Sequence, residues 1–229
     1  MATKPESAQE PTFKQKEKIM LHTKTIGKAV LALILGWILP VYADGQPGQF
    51  DYYLLTLSWS PEHCAEVPSD KLQCDGGKQY GFVVHGLWPQ YNKGYPDSCS
   101  TTPAVPEAVV QEMLPIMPSE KLIQHEWEKH GTCSGEKVGE YFGLIKSAFQ
   151  TIKIPDAFAN PGRQVNISAA QIRKQFQDSN PNMQMAVACK GEYLQEVRLC
   201  FDKAMHPKTC SSGVRDHCPA SAVIMRPVN

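Results

Sequence analysis

Two short segments of this 229-residue chain concentrate side chains that can move protons. One is His85-Gly86-Leu87-Trp88-Pro89. The other is His125-Glu126-Trp127-Glu128-Lys129-His130, followed by Gly131-Thr132-Cys133. Imidazole is the side chain that ordinarily titrates between pH 5 and 8, so two of them can supply one neutral and one protonated ring at the same pH. The second segment reads as helix. At about 100° per residue from His125, Lys129 falls at about 40°, Glu126 at about 100° and His130 at about 140°. Ile123 and Trp127 fall at about 160° and about 200°, on the adjoining core face. Two imidazoles, a carboxylate and an ammonium on one arc can hold a phosphate and shuttle its protons.

Each segment alone has a plainer reading. A mixed-charge helix face is usually solvated surface, and Glu126 and Lys129 at that spacing add only a few tenths of a kcal/mol. His85 alone, after an apolar run, reads more readily as a satisfied core histidine than as a catalyst. A zinc hydrolase is a further alternative, because the helix resembles the H-E-x-x-H metal motif. Here, however, the histidines are five residues apart, about 140° round an α-helix, which is poor geometry for two ligands of one ion. No metal or other cofactor is expected.

The elements that must carry these residues follow from periodicity. Residues 51–59 and 80–85 read as strands, and residues 60–79, with Pro61, Pro68, Gly76 and Gly77, as a loop clipped by cysteines. Turn formers and aromatics fill 89–103. Helices are expected over 106–117, with Val109, Val110, Met113 and Leu114 apolar. A further helix runs from an N-cap at Ser119 to a stop at Gly131, and others cover 138–151 and 168–178, the last capped by Ser168. Tyr141, Phe142, Ile145 and Phe149 form the apolar face of 138–151. Strands return at 183–189, 192–201 and 221–226. Strands, then helices, then strands indicate an α+β fold: one domain, a largely antiparallel sheet, and helices packed against it.

Residues 29–42 are apolar, follow the lysine-containing KTIGK, and end before Ala43 in a small-residue cleavage pattern. This reads as an export signal, with Met20 as an alternative start. The run is short for a membrane span and is interrupted by Pro40, although an uncleaved anchor is the second reading. The expected organisation is therefore a signal with an N-terminal extension over 1–43 and a catalytic domain over 44–229, secreted or periplasmic, without stable membrane association after signal removal. Residues 1–43 hold six lysines and three glutamates, so the remainder carries 17 basic and 20 acidic residues, a net charge of −3. A polyanion would have to be bound by a local pocket and not by a general basic field. All eight cysteines, at 64, 74, 99, 133, 189, 200, 210 and 218, follow the signal. An even count in an exported chain implies disulfides, and no C-x-x-C occurs that would suggest a zinc ribbon or redox site. Asn166-Ile167-Ser168 is a glycosylation pattern if the host is eukaryotic.

The segments HGLWP and HEWEKHGTC, in this order and about forty residues apart, resemble the two active-site segments of the ribonuclease T2 family. The stretch from His85 to Cys99 and the ending at Cys218-Pro219 are similar to plant secreted members. The resemblance extends from about residue 50 to the end. It implies an α+β endoribonuclease acting on single-stranded RNA, with His85 as general acid toward the leaving 5′-oxygen and His130 as general base on the 2′-hydroxyl. Glu126 and Lys129 would stabilise the transition state, and His125 would grip phosphate. Trp88, with Tyr91 or Tyr95, would stack on a base, and stacking discriminates little between bases. Ser58 and Gln90 depart from residues that some members use to hold a base, which leaves base preference open. The pairing expected is Cys64–Cys74, Cys99–Cys133, Cys189–Cys218 and Cys200–Cys210, one of the 105 arrangements that eight cysteines allow. The protein would act as a monomer and would not cleave DNA. A catalytically idle binding protein on the same fold is the competing reading, and the intact motif residues argue against it.

Overall fold

The computed structural model describes residues 45–75, 77–219 and 222–228. Residues 1–43, read from the sequence as an export signal with an N-terminal extension, lie outside the described residues. Among the described residues, no helix is long and apolar enough to cross a membrane.

The fold is α+β, with one six-stranded sheet. Its strands are β1 (Tyr52–Trp59), β2 (Phe82–Gln90), β3 (Val165–Ile167), β4 (Met185–Lys190), β5 (Tyr193–Phe201) and β6 (Val223–Met225). β1 lies between β2 and β5, and β4 and β6 also pair with β5. Every pairing is antiparallel except the single bridge between Tyr193 of β5 and Ile224 of β6. The helices are α1 (Ser60–Glu66), α2 (Lys71–Cys74), α3 (Glu107–Met113), α4 (Glu120–Glu126), α5 (Thr132–Ser134), α6 (Val138–Thr151), α7 (Asp156–Ala159) and α8 (Ala169–Ser179). A π-helical turn, Trp127–Gly131, joins α4 to α5.

β1 explains why its sequence alternates only partly. Tyr53, Leu55, Leu57 and Trp59 enter the main core, beneath the helices. Tyr52 and Leu54 point the other way, into a second small cluster with Cys200, Trp88, Cys210 and Val214. A strand buried on both faces needs apolar side chains on both. The loop expected over 60–79 instead contains α1 and α2, clipped by the Cys64–Cys74 disulfide. Ser119 and Ser168 cap α4 and α8 as expected, accepting from the N–H of Leu122 and Gln171. Buried Ala148 completes the inner face of α6 with Tyr141, Phe142 and Ile145, while Phe149 packs half-buried at its margin. The strand β3 and helix α7, each under five residues, carry too little periodicity to be read from sequence.

The four disulfides pair as the family resemblance implies: Cys64–Cys74, Cys99–Cys133, Cys189–Cys218 and Cys200–Cys210. Loops of this size, closed by a disulfide, contribute about 2–4 kcal/mol each, chiefly by restricting the unfolded chain. Cys99–Cys133 ties the loop after β2 to α5.

Candidate active site

His85 is aimed by an irregularity in β2. Thr56 of β1 pairs with Gly86, but Leu57 pairs with Val84, so His85 is an extra residue bulged out of the ladder. The bulge switches the strand's parity: Val84 and Leu87, three residues apart, are both fully buried. Gly86 is demanded by what lies above it. A Cβ there would collide with the Glu126 carboxylate and with the Trp88 indole nitrogen.

The second segment departs from a plain α-helix. The expected stop at Gly131 is absent; the helical path continues through α5 to Gly135, which takes the left-handed conformation at φ 83°. Within the π turn the N–H of Thr132 reaches back five residues to the Trp127 carbonyl. Gly131 has no Cβ because the Trp127 ring covers it. Trp127 is buried in the core and donates to Thr102 Oγ1 at 2.6 Å. The underwound turn alters the angles expected of an α-helix, yet His125, Glu126, Lys129 and His130 all border one cavity of about 700 Å³, together with His85 and Trp88.

The two histidines occupy opposite electrostatic surroundings. His85 Nδ1 lies 2.8 Å from Glu196 Oε1 and 3.3 Å from Ser58 Oγ. Its Nε2 lies 3.8 Å from Glu126 Oε1. Burial opposes its charge, but the Glu196 hydrogen bond and the Glu126 and Glu196 carboxylates outweigh burial, and the imidazole is raised above its ordinary 6.5. His130 is 6% exposed, and its Nδ1 has no hydrogen-bond partner among the described residues. Burial, with the Lys129 ammonium next, pushes it down to about 3. The end of a helix would favour the imidazolium by only on the order of 1 kcal/mol. Desolvation in a partnerless pocket is larger.

Trp88 stands between the two rings, its centroid 5.2 Å from each, edge-on to His85 and tilted by 31° against His130. Its Nε1 donates to Glu126 Oε2 at 2.7 Å. Glu126 is 1% exposed, and burial raises it to about 7 despite the opposing His85, Trp88 and Lys129. Near neutrality such a carboxyl can offer a proton to a phosphate oxygen, whereas an ionised one would repel it. Half-exposed Lys129 has its Nζ 3.8 Å from Asp97 of the loop after β2. The Ser98 N–H of that loop also donates to the Lys129 carbonyl at 2.8 Å. His125 is exposed at the rim. Of the two tyrosines, Tyr91 packs half-buried against the core, while Tyr95 is 51% exposed, with its ring 6.4 Å from His130. Both border the cavity, as does Gln90.

Glu196 and Arg198 were not singled out from the sequence. They lie on β5, and Arg198 Nη2 and Nε donate to Glu196 Oε2 at 2.7 and 3.1 Å. Their signal is visible in retrospect: two opposite charges, two residues apart, inside the mostly apolar strand YLQEVRLCF. Among the described residues, no group of three or more histidine, cysteine or carboxylate side chains has the geometry of a metal site.

A ribonuclease of Aeromonas hydrophila is 38% identical over 199 residues, spanning 79% of this chain and 88% of that protein. A probable ribonuclease of Haemophilus influenzae is 33% identical, over 71% of this chain and 61% of that protein. An RNase-related protein from Calystegia sepium has the same fold, with a TM-score of 0.64 at 23% identity, over 77% of this chain and 98% of that one. The Ribonuclease T2 family model matches residues 50–210, which include both histidine-bearing segments, the bulged His85 and the Glu196–Arg198 pair; the chain belongs to the ribonuclease T2 family.

Proposed function

We propose that this protein is an endoribonuclease that cleaves single-stranded RNA by metal-independent transphosphorylation, with His130 as base and His85 as acid. The observation that carries the reading is the contrast between the two imidazoles across one cavity. Carboxylates raise one above its ordinary value, and burial, with the Lys129 ammonium next, lowers the other. A neutral ring can accept the 2′-hydroxyl proton, and a protonated ring can supply one to the leaving oxygen.

The 2′-oxygen forms a bond to the adjacent phosphorus, and its proton passes to His130. The bond from phosphorus to the 5′-oxygen breaks, and that oxygen leaves with the electron pair and takes the proton of His85. Lys129 faces the charge that develops on the phosphate oxygens, Glu126 contacts the same oxygens from its buried position, and His125 engages phosphate at the rim. The products are a 2′,3′-cyclic phosphate and a 5′-hydroxyl. Water then opens the ring, with the two histidines exchanging roles, to give a 3′-phosphate. Trp88, Tyr91 and Tyr95 supply stacking surface, which favours broad base preference. DNA lacks the 2′-nucleophile and resists.

The four disulfides suit an oxidising compartment. They support reading residues 1–43 as an export signal with an N-terminal extension, and 44–229 as the catalytic domain of a secreted or periplasmic monomer. The test is incubation of purified protein with RNA and with DNA in excess EDTA, with product ends resolved by mass. Cyclic phosphate and 5′-hydroxyl ends from RNA alone are expected. 5′-Phosphate ends, or loss of cleavage in EDTA, would overturn the reading.

A further inference from the structure

Among the described residues the catalytic motifs leave two buried carboxylates unused: Glu62, which is paired with Arg226, and Glu196. Glu196 is 5% exposed, lies far from either motif in sequence, and sits opposite Ser58 in the ladder between β1 and β5. Its neighbours Val197, Leu199 and Phe201 enter the main core, whereas Glu196 and Arg198 face the site. A buried carboxylate is costly unless each oxygen is partnered, and here both are. Oε1 meets His85 Nδ1 at 2.8 Å, and Oε2 takes two N–H groups of Arg198.

This arrangement fixes a tautomer. An ionised carboxylate only accepts, so Nδ1 of His85 must carry a proton whether the ring is neutral or charged. The proton that comes and goes is therefore the one on Nε2, the nitrogen on the side of Glu126. Burial would raise the Glu196 carboxyl, but the His85 hydrogen bond and charge, and after them Arg198, hold it below its ordinary range, so it does not take the imidazole's proton for itself. His130 has no equivalent partner on its Nδ1 among the described residues. The two histidines thus differ in one constructed feature, the carboxylate on β5.

Resting on the reading of His85 as the acid, we propose that Glu196, locked by Arg198, is the positioning residue of that acid, orienting the imidazole so that Nε2 delivers its proton to the departing 5′-oxygen. The charged and titratable groups around His85 are Glu126 from α4, Glu196 and Arg198 from β5, and His130 beyond Trp88. The His63–Asp70 pair borders a smaller cavity on its other side. Of these, only Glu196 bonds directly to the ring.

Leaving-group dependence separates positioning from mere structural support. An alkoxide leaving group needs an acid, while 4-nitrophenolate does not. Glu196→Gln should lower kcat on a dinucleoside monophosphate by roughly 10- to 100-fold, within the range general acid catalysis supplies, with KM nearly unchanged. On a nucleoside 3′-(4-nitrophenyl phosphate) the loss should be several-fold smaller. The alkaline limb of the pH–rate curve should move to lower pH, and the His85 ring should titrate lower by NMR. Arg198→Met, at a partly exposed position, removes a positive charge and should move that limb to higher pH. Equal losses on both substrates with an unmoved alkaline limb in Glu196→Gln would overturn the proposal, as would an unmoved or lowered limb in Arg198→Met. His85→Ala run alongside keeps the two ideas apart. A loss concentrated on the dinucleotide upholds His85 as the acid, so that failure in Glu196→Gln then falls on the positioning role alone. Equal losses in His85→Ala would overturn the acid assignment, and the positioning role with it.

Discussion

The indole nitrogen of Trp88 donates to Oε2 of Glu126 at 2.7 Å, and the same ring separates His85 from His130. This contact gives Trp88 work besides base stacking. Trp88→Phe keeps an aromatic surface but leaves Glu126 with an unpartnered oxygen in a buried site. Leaving a buried acceptor unsatisfied costs about 1–3 kcal/mol, so kcat should fall by roughly 5- to 100-fold. Steady-state kinetics on dinucleotides will check this. A rise in KM with kcat unchanged would show that stacking is the whole of its contribution.

Removing the two proton carriers should be far more damaging than removing the groups that stabilise charge. His85→Ala and His130→Ala should each cost about 10²–10⁴-fold in kcat on RNA. Glu126→Gln and Lys129→Ala should each cost less, because neither carries an obligatory proton. Wild-type turnover in His130→Ala would remove that residue from the base role.

The two imidazoles also set the pH dependence. His130 must be neutral, so kcat/KM should fall as pH drops through its value of about 3. His85 must be protonated, and it lies above 6.5, so the alkaline fall should begin above that value. Glu126, at about 7 and 3.8 Å from His85, titrates over the same range, so the alkaline limb belongs to the pair. The expected curve is a broad plateau on the acid side of neutrality. An acid limb near 6 in kcat/KM would contradict the desolvated state of His130.

Glu126 also makes a stability prediction. A carboxyl at about 7 in the folded protein, against an ordinary 4.5, binds its proton more tightly folded than unfolded. The stability it contributes is complete below about 4.5 and is lost as pH rises through about 7. Glu126→Gln carries no such proton. Its urea midpoint relative to wild type should therefore be higher at pH 8 than at pH 4. The same difference at both pH values would show that burial does not raise this group.

Much of the site was legible because its groups are close in sequence. His125, Glu126, Lys129 and His130 lie on one helical segment, and local spacing alone put them on one side. Ser119 and Ser168 announced the starts of their helices through a local hydrogen bond. Three features were not legible. The bulge at His85 depends on how β2 registers against β1, which β2 alone does not encode. The π turn depends on Trp127 seeking the core over Gly131. Glu196 reaches His85 across 111 residues of sequence, through the β1–β5 ladder. Even so, a Glu and an Arg of the same parity in a mostly apolar strand were a warning that one face of β5 was not core. The disulfide pairing came from family likeness, since spacing alone leaves every arrangement open.

Gly86 gives the sharpest test of how the two motifs are fitted together. It is the residue after the bulge, opposite Thr56, and the Glu126 carboxylate lies directly over its α-carbon. In Gly86→Ala the new methyl would meet both Glu126 and the Trp88 nitrogen, the two groups whose hydrogen bond spans the site. Neither can withdraw freely: Glu126 is buried, and Trp88 is wedged between two imidazoles. Forcing extra volume into a packed site costs about 1–3 kcal/mol, so the thermal midpoint should fall. Activity should fall further than stability, because the displaced groups are those that face the phosphate. Thermal unfolding followed by dinucleotide kinetics well below the midpoint separates the two effects. A Gly86→Ala protein with wild-type kcat would mean that Glu126 can retreat without consequence, and the close fit of helix to strand would then have no part in catalysis.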